Sequence, residues 1–310
     1  MKSPRAMTMP IAANGYAFDA GRASDRIWLK LRRDRFGLIG LAIVAVFFFI
    51  ALGVWFGWLG QDWSVADGGR WEPAGANHWL GTNVLGQDIF QRMVFSTGTA
   101  FEIGMVVALL STVLGALLGA LAGWYSHKQH NGTSGSGWVD GTILWLMGVL
   151  DSIPFYLFVA ALAYALQGWP WAMHVAMIAT FWTSTGRLIR AEVMRIKSRE
   201  FVLSARAIGL PAPLILLRHV LPNTLHILLV QATIAFVAAI KTEVILSFLG
   251  LGVQDGVSWG LMLAESTQEV LAGHFNNFFA ASLILFALLL GFNLLADALQ
   301  DAFDPRQSTS

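Results

Sequence analysis

Three ionisable residues stand inside otherwise apolar stretches of this 310-residue chain: Asp151, Lys241 and Glu243. A charge at the centre of a bilayer costs about 2.5–3.5 kcal/mol on insertion scales, so such groups turn to a bundle interior, to water or to a partner. The chemistry this suits is recognition, so the three are candidates for lining a translocation pathway. Two readings stand for Lys241. It lines a pore and meets an anionic group on a transported molecule, or it pairs with an acidic group or reaches outward to the interface. Asp151 lies three residues before Pro154, whose missing N–H frees a backbone carbonyl. A kink or gate there and a local polar bond are both open readings.

Little else is disposed for chemistry. No nucleophile, base and orienting group can be assembled, so no catalytic residue is assigned and no enzyme is expected. The seven histidines are scattered; His127 and His130 are three apart but bring no third ligand, so no metal site is expected. There is no cysteine, which removes disulfides and thiolate metal sites. No G-x-x-x-x-G-K-[ST] is present, so the chain cannot itself cradle ATP phosphates.

The elements around these residues follow from hydropathy. Hydrophobic residues make up 56% of the chain and charged ones 13%, against about 25% charged in a soluble domain. A net charge of +1 gives no reason to expect a nucleic-acid partner; the contact expected is with membrane lipid. A bilayer core needs about 20 apolar residues as helix. The sequence predicts an all-α polytopic protein with six spans, near 37–60, 103–125, 142–166, 170–189, 224–247 and 276–297. The turn QGWP at 167–170 separates the third from the fourth. Asp151 then falls in the inner half of the third span, and Lys241 and Glu243 in the outer half of the fifth. The first 36 residues are polar and basic, with no cleaved signal expected.

Lys and Arg set the orientation. Of the 20, 17 lie in 1–36, 126–141, 187–222 and 298–310. Those segments, both termini included, are expected on the cytoplasmic side, with the loops 61–101 and 248–275 outside. RASDRIWLKLRRDRF at 22–36 reads as an amphipathic surface helix ahead of the first span, or as a basic flank that fixes topology. NGTSGSG at 131–137 reads as a linker. A core of five spans would run over 102–300, with a short tail at 301–310.

The segment 204–223, SARAIGLPAPLILLRHVLPN, lies between two apolar runs yet is basic and broken. REFVLSARAIGL at 199–210 can form a short helix, with Phe201, Ser204, Ala205 and Ile208 near one face. Gly209 supplies a stop, and Pro211 and Pro213 prevent simple continuation. A helix rebuilds through LILLRHV, and Pro222 precedes the fifth span. Such a helix suits a partner's groove; a connector with no partner is the plain alternative.

At this point the sequence resembles a known family. The segment is similar to the coupling loop of ABC importer permeases, E-A-A-x-x-x-G followed by a late L-P, here Leu203-Ser204-Ala205, Gly209 and Leu221-Pro222. HWLGTNVLGQDIFQR (78–92), LSFLGLGVQDGVSWGLMLAE (246–265), NLLADALQDAFDPR (293–306) and RRDRFGLIGLAI (32–43) resemble further blocks of the dipeptide, oligopeptide and nickel importers, in the same order. The likeness is to their C-type subunit. It implies a type I importer permease fold and a coupling loop at about 190–222. A second homologous permease, two ATP-binding subunits carrying ATP and Mg, an extracytoplasmic binding protein and a peptide substrate would be the partners. No cofactor is implied on this chain. Glu200, Leu203, Ser204, Ala205, Arg206, Gly209 and Pro222 fall in the coupling role. The chain departs from the family at Leu203, where a Glu is usual, at Ser204 and at Gln87. Glu243 fits the family pattern, whereas Lys241 and Asp151 replace apolar or small residues.

Overall fold

The computed structural model describes residues 34–126, 137–166, 168–253 and 256–303. Residues 22–33 of the expected surface helix, the linker at 131–136, His127, His130 and the tail beyond Phe303 lie outside these. Among the described residues the regular structure is helical, with two isolated bridge pairs, Ala66 with Gln87 and Thr82 with Asp88.

The first helix, α1 (Arg35–Trp55), starts where Asp34 accepts from the Phe36 amide at 3.0 Å. An N-cap carboxylate of this kind satisfies an amide that the helix itself leaves unpaired. The next helix, α2 (Ile89–Trp124), begins well before the apolar run that predicts it. Residues 89–101, expected as loop, are helical because Asp88 caps them, accepting from Phe90 at 2.7 Å and Gln91 at 3.1 Å. Its 36 residues rise about 54 Å, more than a bilayer core needs, so part of it stands clear of the hydrocarbon.

The expected third span is broken. Helix α3 (Gly137–Asp151) and helix α4 (Phe155–Ala165) meet at 93° across residues 152–154. Pro154 cannot donate to the ladder, and Ser152 Oγ donates back to the Val149 carbonyl at 2.7 Å. Helix α5 (Ala172–Ile196) follows, then α6 (Glu200–Ala207) and α7 (Ala212–Ile215). A π-helical turn (Leu216–Val220) and a 3-10 turn (Leu221–Thr224) around Pro222 lead into α8 (Leu225–Phe248). The loop after it holds α9 (Trp259–Leu271), which hydropathy does not announce, and α10 (Asn276–Phe303) ends the described chain.

Four helical stretches are long and apolar enough to cross a membrane, at 35–55, 89–124, 212–248 and 276–303. The bent α3–α4 pair makes a fifth if it is one span. Helix α5 falls outside that group; Arg187, Arg190, Glu192 and Arg195 crowd its second half.

In lipid, helix association rests on close packing more than on water exclusion, so small residues mark the seams. On α2, Gly115, Gly119 and Gly123 recur every fourth position and face α5. A Cβ on Gly115 would stand 2.6 Å from the Trp182 carbonyl oxygen, and one on Gly123 2.6 Å from that of Arg190. One on Gly119 would stand 2.9 Å from the Gly186 Cα. Helices α1 and α10 approach similarly at Gly40 and Gly291. Between these seams lies an aromatic core, with Phe236 stacked on Phe292 at 4.0 Å and Phe101 edge-on to Phe236 at 5.4 Å.

Candidate functional site

Helix α6 is the best-defined presented element. Its eight residues are too few to hold a helix alone. Val202 and Ala205 are buried against Ile189, Val193 and Ile196 of α5 and Ile215 and Val220 beyond it, and this packing holds it. Gly209 ends the helix at φ 81, with nothing within 4 Å of a Cβ there, so conformation rather than space requires glycine. Phe201, Leu203, Ser204 and Ile208 form an exposed face, Ile208 being 77% exposed. Of the four residues expected to share a face, three do; Ala205 turns into the chain's own core. Glu200 and Pro222 are exposed, and Arg206 is half-buried.

Two cations, Lys197 at the end of α5 and Arg206 of α6, fasten the α5–α6 corner to the end of α2. The last turn of α2 contains no basic residue, and its free carbonyls carry the negative end of the helix dipole. Lys197 fills that place. Its ammonium donates to the carbonyls of Gly123 at 3.0 Å and Ser126 at 3.1 Å and to Ser126 Oγ at 2.8 Å. Burial, with repulsion from Arg206, pushes this ammonium below the usual lysine range. Arg206 of α6 lies over the Trp124 ring at 4.1 Å, a cation–π contact. Motion of α6 is thereby tied to α2 and α5. Sequence reading missed Lys197 as an anchor because its partners are 71–74 positions away.

The three expected pathway residues do not gather. Asp151 ends α3 and pairs with Arg187 of α5, both partly exposed. Beside the α3–α4 break a cavity of about 410 Å³ is lined by Asp151, Pro154, Thr180 and Thr183 among others. Deeper along α5, Arg190 grips Asp140 through two bonds of 2.7 Å. Glu243 is buried and accepts from Ser247 Oγ at 2.6 Å and Ser258 Oγ at 2.5 Å. Ser258 also caps α9, accepting from Leu261 at 3.1 Å, so Glu243 fastens the α9 start to α8. Lys241 is exposed and, among the described residues, has no hydrogen bond or ion pair. Ile234 and Phe248 lie with it on the exposed side of α8.

At the end remote from α6, the 61–88 loop is knotted to α9. Arg92 donates to Glu265 at 2.7 Å and to the Gln87 side chain. The Asn83 amide group donates to the same Gln87 oxygen at 3.0 Å, and the Val84 amide donates to Glu269 at 2.8 Å. Gln87, the departure from the family pattern, thus accepts from Arg92 where a second arginine would repel it. Removing one partner of a buried pair strands the other. Glu265→Gln, which strands the more deeply buried Arg92, is therefore expected to lower stability by about 3 kcal/mol, read as a fall in Tm in detergent, with Arg92→Met costing less because the Glu265 it strands is the more exposed partner.

His78 pairs with Asp88 at 3.0 Å, and this hydrogen bond raises its pKa above the ordinary 6.5. A raised folded pKa stabilises fully below the unfolded value and is lost as pH rises through the folded one. The loop is therefore expected to hold best below pH 6.5 and to loosen above it. Hydrogen exchange at residues 78–88, measured across that window, should speed up with pH beyond the intrinsic rate, and His78→Gln should abolish the excess.

Several long apolar helices packed through glycine seams define an all-α, multi-pass membrane protein. The chain belongs to the binding-protein-dependent transport system inner membrane components, whose family pattern matches residues 115–309. It is an ABC importer permease of that family and not an enzyme. It is 31% identical over 283 residues to the dipeptide transport system permease protein DppC of Bacillus subtilis, covering 90% of this chain and 84% of that one. The oligopeptide transport system permease protein OppC of Mycobacterium tuberculosis is 34% identical over 237 residues, 76% and 78% of the two chains. The glutathione transport system permease protein GsiD of Pectobacterium atrosepticum is 35% identical over 238 residues, 76% and 75% of the two.

Proposed function

We propose that this chain forms half of a peptide pathway in an ATP-driven importer, with α6 seated in a cleft of an ATP-binding subunit. The observation that carries this is the exposed face of Phe201, Leu203, Ser204 and Ile208 on a helix whose other face is fixed into the core. In this reading α5 crosses too, making six spans, and the basic α6 end with both termini is cytoplasmic. The unpartnered side of α8, with Lys241, Ile234 and Phe248, faces a second homologous permease across the pathway. Asp151 and Arg187 sit at the α3–α4 break as a polar constriction. An extracytoplasmic binding protein meets the knotted 61–88 loop, and ATP and Mg act on two ATP-binding subunits.

The substrate reading rests on relatives named for dipeptides and oligopeptides. A second reading, glutathione-type peptides, is supported by the GsiD likeness. The test is reconstitution of the chain in nanodiscs with its partner permease, ATP-binding subunits and binding protein. ATP hydrolysis and uptake are then measured with labelled dipeptides, oligopeptides and glutathione. Stimulation by one class identifies it; an assembled complex that none of them stimulates ends the peptide assignment.

A further inference from the structure

At the end of the fold opposite α6, the end of α1, the early turns of α2, the α4–α5 connection and residues 250–253 enclose a cavity of about 540 Å³. Its lining has an unusual composition. Among the described residues, three indoles, Trp55, Trp169 and Trp171, share it with one carboxylate, Glu102, and with the imidazole of His174. No lysine or arginine is among the described lining residues. Indoles alone would be explained by an aromatic belt at the membrane interface. Glu102 and His174 would not.

Glu102 is exposed to this space and has no hydrogen bond or ion pair among the described residues. A carboxylate among aromatic side chains without a counter-charge is left to water or to a ligand. His174 is 8% exposed, yet neither of its ring nitrogens has a partner. A buried polar group left unpaired costs free energy unless a ligand or water completes it. Trp171 packs on that imidazole at 5.0 Å and holds it in place. The site thus offers one negative charge, aromatic faces and an unsatisfied nitrogen, and lacks a cation.

We propose that this cavity binds a primary ammonium group, with Glu102 as counter-charge, the indoles of Trp55, Trp169 and Trp171 as cation–π faces and His174 as hydrogen-bond acceptor. Ammonium over indole is the favoured cation–π geometry and strengthens as water is excluded. Two sources carry this chemistry: the free amino terminus of a peptide, and the ethanolamine headgroup of a lipid. The peptide source rests on the importer reading; the ammonium site itself does not.

The test uses the full chain, labelled with 5-fluorotryptophan, in nanodiscs of phosphatidylglycerol. Fluorine resonances of the three indoles are assigned by their loss in Trp→Phe variants. Titration with n-butylammonium chloride is expected to shift them saturably, and titration with n-butanol or potassium chloride is not. Glu102→Gln should weaken the apparent affinity about tenfold, as for a lost charge-assisted hydrogen bond. Trp171→Leu, with the carboxylate intact, should weaken it less. A free dipeptide that reproduces the shift where its N-acetylated form does not identifies the peptide source. Resonances already shifted in phosphatidylethanolamine nanodiscs, and insensitive to peptide, identify the lipid. The proposal is overturned if n-butylammonium and n-butanol act alike, or if Glu102→Gln binds as the parent does. Should n-butylammonium bind while neither peptide nor lipid competes, the ammonium site stands and both named sources fail.

Discussion

Ile208→Glu is expected to abolish ATP-driven uptake while leaving the fold intact. Ile208 is 77% exposed and follows the last turn of α6, where a new side chain displaces nothing. Surface substitutions of this kind usually change stability by within about 0.5 kcal/mol. If α6 seats in an apolar groove, however, the carboxylate is buried without a partner. Loss of one apolar anchor at the centre of an interface costs about 2 kcal/mol or more, roughly a thirtyfold weaker complex. The measurement is capture of the ATP-binding subunits by the variant permease, followed by uptake. Lys197→Met gives the contrasting variant. It leaves the exposed face untouched but strands the carbonyls of Gly123 and Ser126. It should keep the subunits bound, lower Tm, and let hydrolysis run without matching transport. Full capture and full uptake by Ile208→Glu would remove α6 from the coupling role.

The family's Glu is Leu203 here, and the structure makes that substitution intelligible. Leu203 is exposed, as Phe201 and Ile208 are, so if α6 docks as proposed, apolar packing is the contact this position offers. Gly209, Pro211 and Pro222 could be read directly from the chain, because stops and breaks in helices are local chemistry. The position of α6 was legible for the same reason. Long-range anchors were not: Lys197 and the end of α2, or Glu243 and the start of α9, carry no periodic signal. The α3–α4 break was announced by Pro154, but its 93° bend depends on what packs on either side. The extra turns of α2 were hidden because Arg92 looked like a loop charge. Only Glu265 and Gln87, folded over it, make its burial tolerable. The glycine spacing 115, 119, 123 lay in plain view, a four-residue repeat in an apolar run, and is the signal that would have paired α2 with α5.

That repeat supports the sharpest contrast in the molecule. Alanine is favoured over glycine in a helix interior by about 1 kcal/mol, so propensity alone predicts that Gly119→Ala and Gly148→Ala both stabilise. Packing predicts opposite signs. A Cβ at Gly148 on α3 meets nothing within 4 Å, so that variant should raise Tm slightly. A Cβ at Gly119 falls against the backbone of Gly186, which cannot turn aside as a side chain can. Forcing α5 away from α2 should cost about 1–3 kcal/mol, as overpacking does, and should lower Tm in detergent. The cost does not stay local. Helix α5 leads directly to Lys197 and so to α6, and its Arg190 carbonyl lies against Gly123 at the same seam. Spreading the seam therefore pulls the ammonium away from the α2 carbonyls, and uptake should fall further than Tm alone would predict. If Gly119→Ala and Gly148→Ala shift Tm in the same direction, the α2–α5 contact is looser than drawn and cannot be the rigid strut through which α6 acts.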